Sequence, residues 1–221
     1  MSNAGPLLER TARQSKLVEL SHPLVKHHIS QLRDAATPAP EFRMLVQRLA
    51  VLLAYEATND LAVEPKTVRT PLAETTGHAI AEKIALIPIL RAGLGMVDPI
   101  LNLIPEAQVW HLGIYRDEET LQPVEYYSKL PADRPVDTAL ILDPMLATGG
   151  SVMAALAAMQ TWGVSTVKVL SIIAARPGIR EVQIRFPATQ IYVAAIDSEL
   201  NAHKFIVPGL GDAGDRTFNT L

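Results

Sequence analysis

The chain has 221 residues, 48% of them hydrophobic and 19% charged, which is enough apolar material for a sizeable core and too much for a disordered protein. A net charge of −3 with no clustered basic run disfavours nucleic acid as a partner, and the absence of cysteine excludes disulfides, thiolate zinc sites and a thiol nucleophile. Apolar runs such as Ile84–Leu90 fall far short of the roughly 20 residues of a membrane span, and the start lacks signal-peptide order, so a soluble, cytoplasmic protein is expected.

A single domain is expected over residues 1–221, with 1–15 outside the ordered fold or, around Ser2-Asn3-Ala4, a cloning remnant. Up to about residue 62 the periodicity is helical. Ser21 suits an N-cap, and Leu24, Val25, His28, Ile29 and Leu32 follow at helical spacing. Thr37-Pro38-Ala39-Pro40 breaks that helix. A second begins near Glu41 with Phe42, Leu45, Leu49, Leu52, Leu53 and Tyr55 on one side.

From residue 80 the pattern alternates between strand and helix. Ile84–Leu90 reads as a strand buried on both faces, Leu94–Leu103 as a helix, and Gln108–Tyr115 and Thr138–Leu142 as strands. Helix Ser151–Trp162 ends at Gly163, followed by strand Thr166–Ala174, helix Gly178–Phe186 and strand Gln190–Ile196. The expected class is α/β, an open, mostly parallel twisted sheet flanked by helices, with an N-terminal helical pair. Asp117–Pro135 is too long for an idle connection and reads as a flexible, hairpin-like arm or lid, or else as a solvated insertion.

The chemistry concentrates where strands end. Ala139–Leu142 runs into Asp143, a short loop, and then Thr148-Gly149-Gly150-Ser151 at the start of a helix. Glycines let backbone N–H groups converge on an anion, and a helix N-terminus adds about half a positive charge, so this is a cup for a phosphate monoester. No Gly-Lys-Ser/Thr follows, which disfavours triphosphate hydrolysis. The plain alternative is an ordinary helix start capped by Ser151.

Arg91-Ala92-Gly93-Leu94-Gly95 follows another strand, and the planar fork of arginine suits a pyrophosphate. A salt-bridged surface arginine beside a tight turn is the alternative. Gly209-Leu210-Gly211-Asp212-Ala213-Gly214 matches the dinucleotide fingerprint, but only seven residues remain after it, too few for the helix and strand that the motif needs. A backbone wrapped closely around a small flat ligand is the better reading. The six histidines show no metal-ligand spacing.

Together these segments resemble the uracil phosphoribosyltransferases, a branch of the type I phosphoribosyltransferases, from about Lys16 onward. Four strings in order carry the likeness: Pro88-Ile89-Leu90-Arg91-Ala92-Gly93-Leu94-Gly95, Tyr115-Arg116-Asp117-Glu118-Glu119-Thr120, Asp143-Pro144-Met145-Leu146-Ala147-Thr148-Gly149-Gly150-Ser151, and Pro208-Gly209-Leu210-Gly211-Asp212-Ala213-Gly214-Asp215. Leu142 before a single Asp143, where the wider superfamily usually has two adjacent acids, fits the uracil branch.

The resemblance implies transfer of ribose 5-phosphate from phosphoribosyl diphosphate (PRPP) to uracil, giving UMP and diphosphate in pyrimidine salvage, with Mg²⁺ carried by PRPP rather than held by protein alone. It implies that Arg91, Arg116, Asp143 and Asp212 are catalytic, with Arg91 and Arg116 on the diphosphate. The run Asp143, Pro144, Met145, Leu146, Ala147, Thr148, Gly149, Gly150, Ser151 would hold the ribose 5-phosphate, and Asp212 would also reach PRPP. Ile206, Gly211, Asp212 and Ala213 would line the uracil site within a base-binding segment, residues 201–221. A homodimer or higher homo-oligomer is implied, and a GTP effector occurs in some members. Ser198-Glu199 and His203-Lys204 depart from the family pattern just before the uracil loop. Two rivals remain: a transferase for a purine or for orotate, whose carboxylate would want Lys204, and a regulator that binds RNA or a nucleotide without turnover.

Overall fold

The computed structural model describes residues 16–116, 123–128, 130 and 135–220, with the backbone alone for 114–116 and 123–128. Lys16–Glu19 is a strand (β1) where the sequence reads as helical. It is held by parallel pairing to residues 190–193, far along the chain, which no local period reveals. Pro23–Arg33 (α1) follows, capped by His22 rather than Ser21, with the His22 Nδ1 accepting the Leu24 N–H at 3.2 Å. Val25, Ile29 and Leu32 are buried, whereas Leu24 is exposed.

Ala39–Ala57 (α2) carries Pro40 in its first turn, where a missing N–H costs little. Phe42, Leu45, Leu49 and Leu53 face the core, but Tyr55 points to solvent at 71% exposure. The C-terminal end of α2 is tied down by Lys168, which is buried, donates to the Ala57 carbonyl at 2.6 Å and pairs with Asp60. Val63–Arg69 (β2) and Glu74–Ile80 (β3) then form an antiparallel hairpin that the sequence does not announce. Neither strand buries a face, so the alternation that reveals strands is missing.

The central unit follows the expected order closely. Ile84–Pro88 (β4) leads into a 3₁₀ turn, Ala92–Met96, and Val97–Leu103 (α3). Gln108–Val109 (β5) and Leu112–Arg116 (β6) replace the single strand expected there, and β6 pairs antiparallel with Pro123–Ser128 (β7) as the hairpin-like arm. The tip of that arm, residues 117–122, and residues 129 and 131–134 lie outside the described residues. Thr138–Leu142 (β8), Met145–Leu146 (β9), Gly150–Trp162 (α4), Thr166–Ala175 (β10), Arg176–Arg185 (α5) and Gln190–Asp197 (β11) follow. Glu199–Leu200 (β12), Ile206–Val207 (β13) and Ala213–Phe218 (α6) complete the order.

The main sheet runs β1-β11-β10-β8-β4-β5, with β9 added against β10, and every pairing is parallel. Side chains alternate between its faces. Leu86, Leu140, Leu142, Leu170 and Tyr192 pack with α1, α2 and α3, while Ala85, Ile87, Ile141, Val169 and Val193 pack with α4 and α5. With both faces covered, β4 and β8 are apolar throughout. After β4 the chain adds β5 on one side and β8 on the other. This reversal places a crevice beyond the carboxyl ends of β4 and β8, where open α/β sheets bind ligands. Among the described residues no helix is long and apolar enough to cross a membrane.

Candidate active site

Pro88 pairs with Leu142 across β4 and β8, so the segments leading to Arg91 and Asp143 leave the sheet side by side. The Asp143 N–H donates to the Leu170 carbonyl at 3.2 Å, and β9 pairs with Ile173 and Ala174, which folds the following loop back over the strand ends. Pro144 is buried and its carbonyl accepts the N–H groups of Ile172 and Ile173 at 3.1 and 3.0 Å, while the Leu146 side chain enters the core. These two residues anchor the loop. Asp143, Met145, Ala147, Thr148, Gly149, Gly150 and Ser151 line a cavity of about 130 Å³.

Gly149, at φ +82, is the N-cap of α4 and no side chain caps this end, so the Ser151-cap alternative does not hold. The first-turn amides of a helix have no intrahelical acceptors, and here they front the cavity. Burial pushes the Asp143 carboxyl up to about 7, against the opposing pull of the Met145 N–H, which donates to its Oδ1 at 3.2 Å.

A residue the motif reading passed over supports this cup. A Cβ on Gly178, in the first turn of α5, would overlap the Ala147 carbonyl oxygen and come within 2.8 Å of Leu146 Cδ2. Only glycine lets α5 press so closely against the loop. The signal in the sequence was the Pro177-Gly178 pair, with nothing nearby to say what it meets.

A second cavity, of about 290 Å³, adjoins the first through Asp143, Met145 and Ser151, and its wall adds Arg91, Ala92, Asp212 and Gly214. A cis peptide bond joins Leu90 to Arg91. A Cβ on Gly93 would overlap the Leu142 carbonyl oxygen, so this turn can seat against the end of β8 only with glycine there. The Arg91 guanidinium is largely exposed, 3.2 Å from Asp215 and about 6.0 Å from the Phe218 ring. Arg116 ends β6, and its side chain lies outside the described residues.

A third cavity, of about 390 Å³, continues from Ala92, Met145, Asp212 and Gly214 to Ala147, Ala213, His203, Lys204 and Phe205. Ala213 donates its N–H to the Met145 sulfur at 3.3 Å, a weak acceptor that a ligand carbonyl would outcompete. Asp212 caps α6, with its Oδ1 accepting the Asp215 N–H at 2.9 Å. A six-residue helix thus starts within the glycine-rich string, at Ala213, but no strand follows it among the described residues. Gly211, at φ +81, shapes the approach to Asp212, and Ile206 opens β13 with its side chain in the core rather than on the cavity wall. His203, Lys204 and Phe205, flagged in part as departures, form the outer lip.

Comparison with known proteins converges with this geometry. The family model for uracil phosphoribosyltransferase matches residues 19–220. The chain is 57% identical over 199 residues to the uracil phosphoribosyltransferase of Roseiflexus sp. (strain RS-1), covering 90% of this chain and 96% of that one. It is 53% identical over 207 residues to that of Symbiobacterium thermophilum, covering 93% and 99%. Among solved structures it resembles the AQ2163 protein of Aquifex aeolicus, at 41% identity and a TM-score of 0.87 over 91% of this chain and 97% of that one. With a matching family model over most of its length and relatives above half identity, the chain belongs to the uracil phosphoribosyltransferase family.

Proposed function

We propose that the protein transfers ribose 5-phosphate from PRPP to N1 of uracil, forming UMP and diphosphate, as a step of pyrimidine salvage. One observation supports the reading beyond family membership: three cavities share the wall residue Met145, one fronted by an uncapped helix start, one by an arginine and two acids, and one by a glycine-rich loop. Those three linings suit phosphate, ribose with diphosphate, and base.

In this reading the 5-phosphate accepts hydrogen bonds from the first-turn amides of α4 and the hydroxyls of Thr148 and Ser151. Asp143, once ionised, accepts from the ribose hydroxyls. The C1′–oxygen bond to diphosphate breaks, the C1′–N1 bond forms, and the N1 proton leaves to solvent or to diphosphate. Positive charge grows on the ribose and negative charge on the leaving group, so Arg91 and Arg116 stabilise the transition state more than the bound substrate. The arm built from β6 and β7 packs beside α4 and serves as a lid that limits attack by water at C1′.

Among the described residues no group of three or more His, Asp or Glu is placed to hold a metal. Asp143 and Asp212 on the central cavity nonetheless suit Mg²⁺, which binds commonly through one or two carboxylates and substrate phosphates. Bound there, the ion supplies charge neutralisation at the diphosphate. The neutral base meets mainly backbone at Gly211 and Ala213, which can pair with its carbonyl and imide edges and leave a cytosine amino group unpaired.

A homodimer or higher homo-oligomer is part of the proposal. The β2–β3 hairpin exposes Val63, Val68, Leu72 and Ile80, and an isolated two-stranded hairpin is marginal in water, so a second copy is the natural cover. The test of function is chromatography of products after mixing the protein with PRPP, Mg²⁺ and separate free bases. UMP from uracil alone is expected. A nucleotide from orotate or a purine instead, or none, would overturn the proposal.

A further inference from the structure

The loop at the base end, residues 209–213, has one charged side chain, Asp212, and one of its oxygens is engaged by Asp215. Discrimination between flat bases therefore depends on where the loop backbone points. Two arginines outside the loop's own strands fix that direction. Arg33, the last residue of α1, grips Asp197 at the end of β11 with both prongs, Nη2 to Oδ1 at 2.6 Å and Nη1 to Oδ2 at 2.8 Å.

The same pair holds both polar groups of Gly209. Its N–H donates to Asp197 Oδ2 at 3.1 Å, and its carbonyl accepts from Arg33 Nη1 at 2.9 Å. Arg216 takes the next carbonyl, that of Leu210, at 2.8 Å. It also donates to the carbonyls of Leu32 and Asp34 at 2.8 and 2.6 Å, with its guanidinium stacked 4.3 Å from the Phe42 ring. Two successive loop carbonyls are thus tied to the C-terminal end of α1. The ties matter because Gly209 and Gly211 sit at φ +62 and +81, and glycine backbone has little stiffness of its own. Arg33 lines none of the three cavities.

We propose that Arg33, acting through Asp197, is a positioning residue that sets base selectivity by holding the loop backbone in register for the acceptor, without touching base or donor. This rests on the reading of the third cavity as the base site. The experiment is steady-state kinetics of the wild type, Arg33→Lys, Asp197→Asn and the double variant, with uracil and cytosine as acceptors. Lysine keeps the charge but loses the fork.

For Arg33→Lys, kcat/KM for uracil should fall roughly ten- to hundredfold while KM for PRPP stays within about twofold. The uracil-to-cytosine ratio should fall about tenfold, and the double variant should be no worse than the worse single. Equal losses for both substrates with an unchanged base ratio would mark a purely structural tie and overturn the proposal. Should Arg33→Lys fail to fold in a thermal melt, Arg216→Lys tests the same claim at the next carbonyl with the same two outcomes. A wild type that makes no UMP would overturn the base-site reading and this proposal with it, whereas an active wild type leaves only the role of Arg33 at stake.

Discussion

At the proposed phosphate end of the cleft, one continuous stretch, Asp143–Ser151, supplies the acid, the turn and the helix start, set on the buried strand β8. At the proposed base end, short strands, a six-residue helix and a glycine-rich turn make the wall, and arginines from α1 and α6 give it shape. The first end is rigid because a parallel sheet fixes its strand tips. The second is rigid only as far as its polar ties hold, so its selectivity can change without disturbing the core.

The largest effect expected from this contrast is at Arg91. Arg91→Ala should lower kcat/KM for PRPP by more than about a hundredfold, since each bond to a charged oxygen contributes about 1.5–3 kcal/mol and the fork makes two. Its only ion pair among the described residues is an exposed one with Asp215, so the melting temperature should stay within about 2–4 °C. Kinetics with varied PRPP, beside a thermal melt, separate these effects; unchanged turnover at saturating PRPP would remove Arg91 from the mechanism.

Next is Gly178→Ala. The added methyl meets the Ala147 carbonyl and must displace the phosphate loop, raising KM for PRPP about tenfold and costing about 1–3 kcal/mol of stability. KM for uracil should barely move. A rise in the uracil value alone would break the division between the two ends.

Asp143 sharpens the comparison through pH. In the folded protein it loses its proton near 7, against an ordinary value of 3.8. This group therefore favours folding below pH 4, and the contribution is lost as pH rises to about 7. With the ionised form as the proposed acceptor of the ribose hydroxyls, kcat/KM for PRPP should rise with pH through about 7, and Asp143→Asn should flatten that limb. A limb that persists in the variant would assign the titration elsewhere. The smallest effect is at Lys204, whose φ of +66 costs a side chain roughly 1–2 kcal/mol. Lys204→Gly should raise the melting temperature by a few degrees, which a thermal melt checks.

The same contrast explains what the sequence disclosed. The strand, turn and helix start around Asp143–Ser151 were legible because strand, acid, glycines and helix are neighbours in the chain, and the strands from Ile84 onward showed because burial on both faces makes them apolar without interruption. Strand β1 was missed since its partner is β11, and the β2–β3 hairpin was missed since it buries neither face. Arg33 and Asp197, 164 residues apart, carry no local signature of their bond. Ile206, expected on the uracil site, has its side chain in the core where β13 pairs with β12.

The central claim is that one sugar donor spans the helix start and the arginine while the base lies on the loop. A crystal structure with UMP and diphosphate tests it most directly. The phosphate should accept from the amides at Gly150–Val152, the diphosphate should sit against Arg91, and the uracil edge should run along Gly211–Ala213. A phosphate seated away from that helix start, or a base outside residues 203–214, would contradict the account.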